Sequence, residues 1–278
     1  MKSRIDHLTN LQQRIIAGVL GAAIMIGGIV YNEWTFFLLF SIISYLALQE
    51  FYHLVRSAGI QPDVFFGALV GTLLFTFLFF KEKQLLDSRW IYLLFPVIFL
   101  LFLIELFRKS DKPFFNIAFT FLGNIYISFS FALMNVAAFQ EGRYRFQIIL
   151  GVLFLLWAND IGGYFVGRFL GKTKLFLRIS PKKTWEGSVG GGLFSLLTAL
   201  ILSVYFTELG LIQWLGLSVI IVIIGSYGDL VESLLKRSLD IKDSGQMIPG
   251  HGGFLDRFDG LLLAAPFIAA FLRLFPDL

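Results

Sequence analysis

The chain is a succession of long apolar runs separated by short polar stretches. Nine runs, near 15–31, 34–55, 63–80, 90–107, 114–138, 146–168, 187–207, 211–235 and 258–275, are long enough for helices that cross a bilayer, which takes roughly 17–25 residues. Barrel strands would be shorter and would alternate apolar with polar positions. In lipid, only helices and closed barrels satisfy their own backbone polar groups. The pattern therefore predicts an all-α integral membrane protein, a polytopic bundle of about nine transmembrane helices. The seventh and eighth runs are parted only around Glu208 and form a helical hairpin. The polar start, MKSRIDHLTNLQQR, is followed by an apolar run with no small-x-small cleavage site, so that run reads as a retained span. No internal repeat stands out, which weakens an inverted-repeat transporter reading.

Composition agrees with a membrane protein. Of 278 residues, 57% are hydrophobic and 15% charged, 33 are Phe, and the mean hydropathy is +0.78. A soluble domain of this length could not bury so much apolar surface. Cys is absent and His occurs only at 7, 53 and 251, which removes disulfides and thiolate metal sites and leaves little for a structural zinc. Carboxylates would have to hold any divalent metal, which favours Mg²⁺. The net charge of +4 gives no case for nucleic acid, and no nucleic-acid partner is expected.

The distribution of charge says more. With the N-terminus in the cytoplasm and nine spans, 17 of the 23 Lys and Arg residues fall on the cytoplasmic side. The positive-inside rule then places the N-terminus inside and the C-terminus outside. Ten of those 17 lie in 168–183 and 236–257. Residues 1–145 read as a scaffold of helices with almost no polar chemistry, and residues 146–278, which hold nearly all of it, as the catalytic region.

Four stretches hold candidate chemistry. In WANDIGGYFVGRFLGKTK, Asn159 and Asp160 interrupt an apolar run. An ionisable group there is costly and suggests function by default; the plainer alternative is that Asp160 pairs with Arg168 or a nearby Lys and closes the helix end. GRFLGKT fails as a phosphate loop, because Val166 stands where Gly is needed and no strand precedes it. In ISPKKTWEGSVGGG, Thr184 is a candidate N-cap with Glu186 in the first turn. Lys182 and Lys183 just before that helix suit an anion, or equally a lipid-headgroup anchor. The glycines at 187 and 190–192 fit close helix packing.

In SYGDLVESLLKRSLDIKDSG, a continuous helix puts Asp229, Ser233, Lys236 and Arg237 on one face. The alternative is a snorkelling helix end with a Glu232–Lys236 pair. In PGHGGFLDRFDG, three glycines flank His251, and Asp256 and Asp259 share a face at the start of the last span. The helix dipole explains two acids there but not the His, the glycines or Arg257; Gly permits close backbone approach to a ligand.

Together, carboxylates at 160, 229, 256 and 259 can bind Mg²⁺. Lysines 172, 174, 182, 183, 236 and 242 and arginines 237 and 257 can hold phosphates. Acids for metal beside cations for phosphate suit phosphoryl or nucleotidyl transfer, and the membrane implies a lipid substrate.

The 27 residues from Ser233 to Asp259 resemble the signature of the phosphatidate cytidylyltransferases, or CDP-diacylglycerol synthases: Ser, Lys-Arg, Lys-Asp, His-Gly-Gly, then Asp-Arg-x-Asp. N-D-x-G-x-Y-x-x-G-R from Asn159 and S-P-K-K-T-x-E-G from Ser180 are also similar to the family, with Ile161 departing from its more common Thr. The resemblance implies that CTP and phosphatidic acid give CDP-diacylglycerol and pyrophosphate. It implies a homodimer in the inner cell membrane, with a polar cavity open to the cytoplasm and to lipid. Asp229 and Asp256 would hold Mg²⁺, with K⁺ nearby. Catalytic roles would fall to Asp229, Ser233's neighbours Lys236 and Arg237, Lys242, Asp243, His251, Asp256, Arg257 and Asp259. Substrate binding would fall to Asn159, Asp160, Lys172, Ser180, Lys182, Lys183, Thr184, Glu186 and Ser233.

The rivals are another lipid phosphotransferase or polyprenol kinase, a cation-coupled transporter, and a structural lipid-binding protein. A transporter would string acids across the membrane depth, whereas these gather at one face. A CDP-alcohol phosphotransferase would need an acid-rich D-G-x₂-A-R type helix, which is not found.

Overall fold

Every apolar run becomes a helical rod. The computed structural model describes residues 10–239, 241, 252–276 and 278. Among these residues the helices are α1 (Asn10–Tyr31), α2 (Glu33–Ser57), α3 (Val64–Glu82), α4 (Ser88–Phe107, opening on a 3₁₀ turn), α5 (Pro113–Ala138), α6 (Phe146–Leu170), α7 (Trp185–Tyr205), α8 (Leu211–Ser238) and α9 (Leu255–Leu274). Seven of them, α2 to α8, are long and apolar enough to cross a membrane. The apolar part of α1, Ile16–Tyr31, is shorter, and α9 bears Asp256, Arg257, Asp259 and Arg273. The protein is an all-α polytopic membrane protein.

Local chemistry sets the helix starts. Asn32 caps α2 by accepting from Trp34 N and Thr35 N, Asp63 caps α3 through Phe66 N, and Pro113 opens α5. Thr184 caps α7, its Oγ1 accepting from Gly187 N, as the sequence suggested. Two helices contain a widened π-helical turn, α5 at Asn124–Ser128 and α8 at Ile221–Gly225. The sequence reading contained no strands, yet two small antiparallel hairpins form. β1 (Phe139–Gln140) pairs with β2 (Arg143–Tyr144), and β3 (Lys174–Phe176) with β4 (Ser180–Thr184). Each is a polar connection too short to register as a periodic pattern.

In lipid, helices associate through close packing, and small residues allow it. The glycines of α6 and α7 interlock: a Cβ on Gly187 would meet Gly163 O at 2.9 Å, and one on Gly191 would meet Asn159 O at 2.6 Å. These glycines pack helices, as the sequence suggested. One hydrophobic core runs from Ile29 to Leu272, so it crosses the division at 145/146 without interruption. The first half is also less purely apolar than its sequence suggested. Buried Glu105 accepts from Asn116 Nδ2 (2.6 Å), and Tyr52 donates to Thr120 O (2.8 Å).

The two ends of the bundle differ electrostatically. Where Lys81, Lys83, Arg89, Arg145 and Arg273 gather, each has an acid: Glu82, Glu33, Asp87, Glu208 and Glu82 respectively. At the other end, Lys172, Lys174, Arg178 and Lys182 make no ion pair among the described residues. The cations assigned to the opposite side are thus largely neutralised, while much of the charge assigned to the cytoplasmic side is not.

Candidate active site

The crossing of α8 and α9 builds the site. Gly228 of α8 lies against the α9 backbone so closely that a Cβ there would stand 2.4 Å from Asp259 O and 2.8 Å from Gly260 Cα. With nothing between the two helices, Asp229 and Glu232 of α8 face Asp259 of α9. One carboxylate oxygen from each of these three lies within 4.8 Å of the others. Three converging carboxylate oxygens fit a hard divalent cation such as Mg²⁺.

Two lysines pair with acids of the cluster. Lys183 Nζ lies 2.5 Å from Asp229 Oδ2 and donates to Ser226 O at 3.2 Å. Lys236 Nζ lies 3.3 Å from Glu232 Oε1 and 2.8 Å from Asp256 Oδ1. Asp256 Oδ2 in turn accepts from Gly253 N at 3.2 Å. Of the two expected metal ligands, Asp229 is thus in the converging set, while Asp256 is held by Lys236 beside it. Glu232 pairs with Lys236, as the plainer reading had it, and it also faces the other acids.

Lys183, Asp229, Asp256 and Asp259 open onto a cavity of about 840 Å³, which Glu232 and Lys236 do not line. One end is polar: Asn159, Asp160, Lys183, Ser226, Asp229, Asp256, Arg257 and Asp259 line it. The apolar lining comes largely from the N-terminal helices, with Leu20, Ile24 and Met25 of α1 and Leu39, Ile42 and Leu46 of α2, joined by Leu153 and Trp157 of α6. Asp160 does not pair with Arg168, which donates to the Tyr164 hydroxyl instead. Asn159 is buried, its Nδ2 3.5 Å from Ser226 Oγ.

Other expected site residues stand outside this cavity. Lys172 and Lys182 are exposed on the β3–β4 hairpin, and Ser180 pairs with Phe176 within it. Glu186 accepts from Lys172 N and Thr173 N, each at 3.1 Å, and so closes the hairpin onto α7. Thr184 is occupied as the cap. Arg237 is exposed on α8, and Ser233 does not line the cavity. Lys242, Asp243 and His251 lie outside the described residues.

Sequence reasoning missed Glu50. This α2 carboxylate is 2% exposed, and its Oε2 accepts from Phe254 N at 2.7 Å and Leu255 N at 3.4 Å. The rule that singled out Asp160 would have found it, since Glu50 is also an acid inside an apolar run.

Comparison with known proteins agrees with this arrangement. The chain is 34% identical over 273 residues to the phosphatidate cytidylyltransferase of Bacillus subtilis, covering 96% of this chain and 100% of that protein. It is 32% identical over 287 residues to the phosphatidate cytidylyltransferase of Haemophilus influenzae, with 94% and 98% covered. The enzyme of the same name from Staphylococcus haemolyticus is 30% identical over 260 residues, with 93% and 97% covered. The model of the cytidylyltransferase family matches residues 12–275, so it takes in both the acid cluster and the apolar wall of the cavity. Alike along almost its whole length to these enzymes and to the family model, the chain belongs to the cytidylyltransferase family.

Proposed function

We propose that the protein is a CTP:phosphatidate cytidylyltransferase, a membrane nucleotidyltransferase that makes CDP-diacylglycerol and pyrophosphate. The observation that carries this reading is the two-natured cavity. Acids and cations suited to phosphates and metal sit at one end, and an apolar wall suited to acyl chains continues from it. The full-length similarity to phosphatidate cytidylyltransferases supports the same substrates.

The phosphate of phosphatidic acid is a monoester with a second pKa of about 6, so it is largely dianionic at neutral pH. Its oxygen forms a bond to the α-phosphorus of CTP, and the bond from that phosphorus to the pyrophosphate oxygen breaks. No strong general base is needed. The obstacle is repulsion between two anions, which fixed positive charge lowers. Lys183 and Arg257 supply such charge inside the cavity, and Lys236 holds Asp256 and Glu232 in place. Asp229, Glu232 and Asp259 would hold Mg²⁺, with Asp256 adjacent. When bound, such an ion supplies charge neutralisation at the phosphates. The reading extends to a site facing the cytoplasm of the inner cell membrane, and to a K⁺ beside the Mg²⁺ as the resemblance implies. It also extends to a homodimer using the N-terminal half. There, α4 has 17% of its span buried against 39–56% for α2, α3 and α5 to α8, which leaves a face for lipid or a second copy.

The test incubates purified protein with phosphatidic acid, labelled CTP and Mg²⁺, with ATP and Asp256→Asn run alongside. Label in lipid from CTP alone, dependent on Mg²⁺ and lost in Asp256→Asn, is the expected result. No labelled lipid from folded protein would overturn the reading.

A further inference from the structure

We propose that Glu50 is a positioning residue of the active site, holding the first turn of α9 so that Asp256 and Asp259 meet Asp229 and Glu232. The assignment rests on the reading of this cluster as the metal-binding centre.

The first backbone N–H groups of a helix have no partner within it. At α9, Glu50 Oε2 accepts from two of the groups at this start, Phe254 N at 2.7 Å and Leu255 N at 3.4 Å. A carboxylate suits this place because it takes charge-assisted hydrogen bonds and faces the positive end of the helix dipole. Glu50 comes from α2, 204 residues earlier, and is 2% exposed. Its contact with α9 is a tertiary clamp and not a local cap.

The preceding glycines are shaped to this clamp. A Cβ on Gly253 would lie 1.5 Å from Glu50 Oε1 and 2.4 Å from its Cδ, so no side chain fits there while Glu50 is in place. Gly252 has φ +86, the left-handed region that favours glycine. The paired glycines therefore admit one of the chain's own carboxylates, where the sequence suggested approach to a ligand. Gly253 N donates to Asp256 Oδ2, so the clamped segment also sets the Asp256 side chain. Asp259 follows three residues later on the same face.

The test compares Glu50→Ala, Glu50→Gln and Gly253→Ala with the wild type in lipid nanodiscs. Mn²⁺ binding is read by electron paramagnetic resonance without turnover, followed by kinetics. The amide oxygen of Gln still accepts N–H bonds, so Glu50→Gln should bind Mn²⁺ within about 3-fold of wild type. Glu50→Ala and Gly253→Ala should bind about 10-fold or more weakly, the scale typical of groups that orient metal ligands. In both, kcat should fall while the KM for phosphatidic acid stays within about 2-fold. Wild-type Mn²⁺ affinity and kcat in a folded Glu50→Ala would overturn the assignment. So would Glu50→Gln as impaired as Glu50→Ala, or a wild type that binds no Mn²⁺. If Glu50→Ala does not fold, Gly253→Ala decides, and wild-type Mn²⁺ affinity there overturns the proposal. Mn²⁺ binding without lipid product would count against the proposed reaction alone.

Discussion

Lys183 Nζ stands 2.5 Å from Asp229 Oδ2, joining the β3–β4 hairpin to the acid cluster on α8. The lysine is neither fully buried nor free, with 29% of its side chain exposed toward the cavity that Asp229 also lines. It is therefore placed to exchange a carboxylate for an incoming phosphate.

Lys183→Met should lower kcat/KM by about 100-fold or more, the cost of roughly 3 kcal/mol of lost phosphate stabilisation. Lys182→Met, on an exposed position of the same strand, should cost less than about 5-fold. Steady-state assays on both variants check this, and equal losses would place both lysines at the substrate.

The metal set can be sorted by single amides. Asp229→Asn and Asp259→Asn should each raise the Mg²⁺ concentration for half-maximal activity by about 10–100-fold, and Glu232→Gln by less. Asp256→Asn should lose activity and also weaken the hold on Lys236. A Mg²⁺ titration in which only Asp256→Asn shifts would return that residue to the centre of the metal site.

Gly228→Val should part α8 from α9, because its Cβ has backbone 2.4 Å away and no flexible neighbour to displace. Melting should shift down by several degrees, as for overpacking costs of about 1–3 kcal/mol, and activity should fall with it. Full activity at an unchanged melting temperature would mean the crossing yields more easily than its geometry indicates.

The apolar wall should govern the lipid and not the nucleotide. Gly21 lines the cavity, and a Cβ there meets nothing within 4 Å. Gly21→Phe should therefore fill the groove, raising the KM for phosphatidic acid about 10-fold while leaving that for CTP within about 2-fold. Kinetics with long- and short-chain phosphatidic acids would read it, the short chains suffering less.

Sidedness can be tested without removing any native thiol, since the chain has no Cys. A cysteine at Leu177 in the β3–β4 hairpin should react with an impermeant maleimide only from the cytoplasmic face. One at Arg143 between α5 and α6 should react only from the opposite face. Reversed labelling would invert the positive-inside assignment.

Much of this was legible in the residues. The helical rods follow from runs of apolar length, and Asp229, Asp256 and Asp259 stood out as charges at span ends. What stayed hidden depended on geometry that only the folded chain fixes. Lys182 and Lys183 read as one basic pair, but successive residues on a strand point to opposite faces, so β4 turns one to the cavity and the other to solvent. Glu232 looked like half of a helix-surface ion pair, because its second set of neighbours belongs to α9. The tie from Lys172 N to the Glu186 carboxylate was hidden because it forms only once the hairpin folds back onto α7. The apolar wall of α1 and α2 was invisible because, in sequence, a residue facing a lipid substrate looks the same as one facing the bilayer.

The contact from Glu50 to Phe254 also orders events during synthesis. Its two partners are 204 residues apart, which at 5–20 residues per second separates them by on the order of 10–40 s. Throughout that interval the nascent chain has α2 in place and no α9 for it to hold. The acid cluster therefore cannot close until the last helix has been made, and a chain cut short of α9 would lack Asp256 and Asp259.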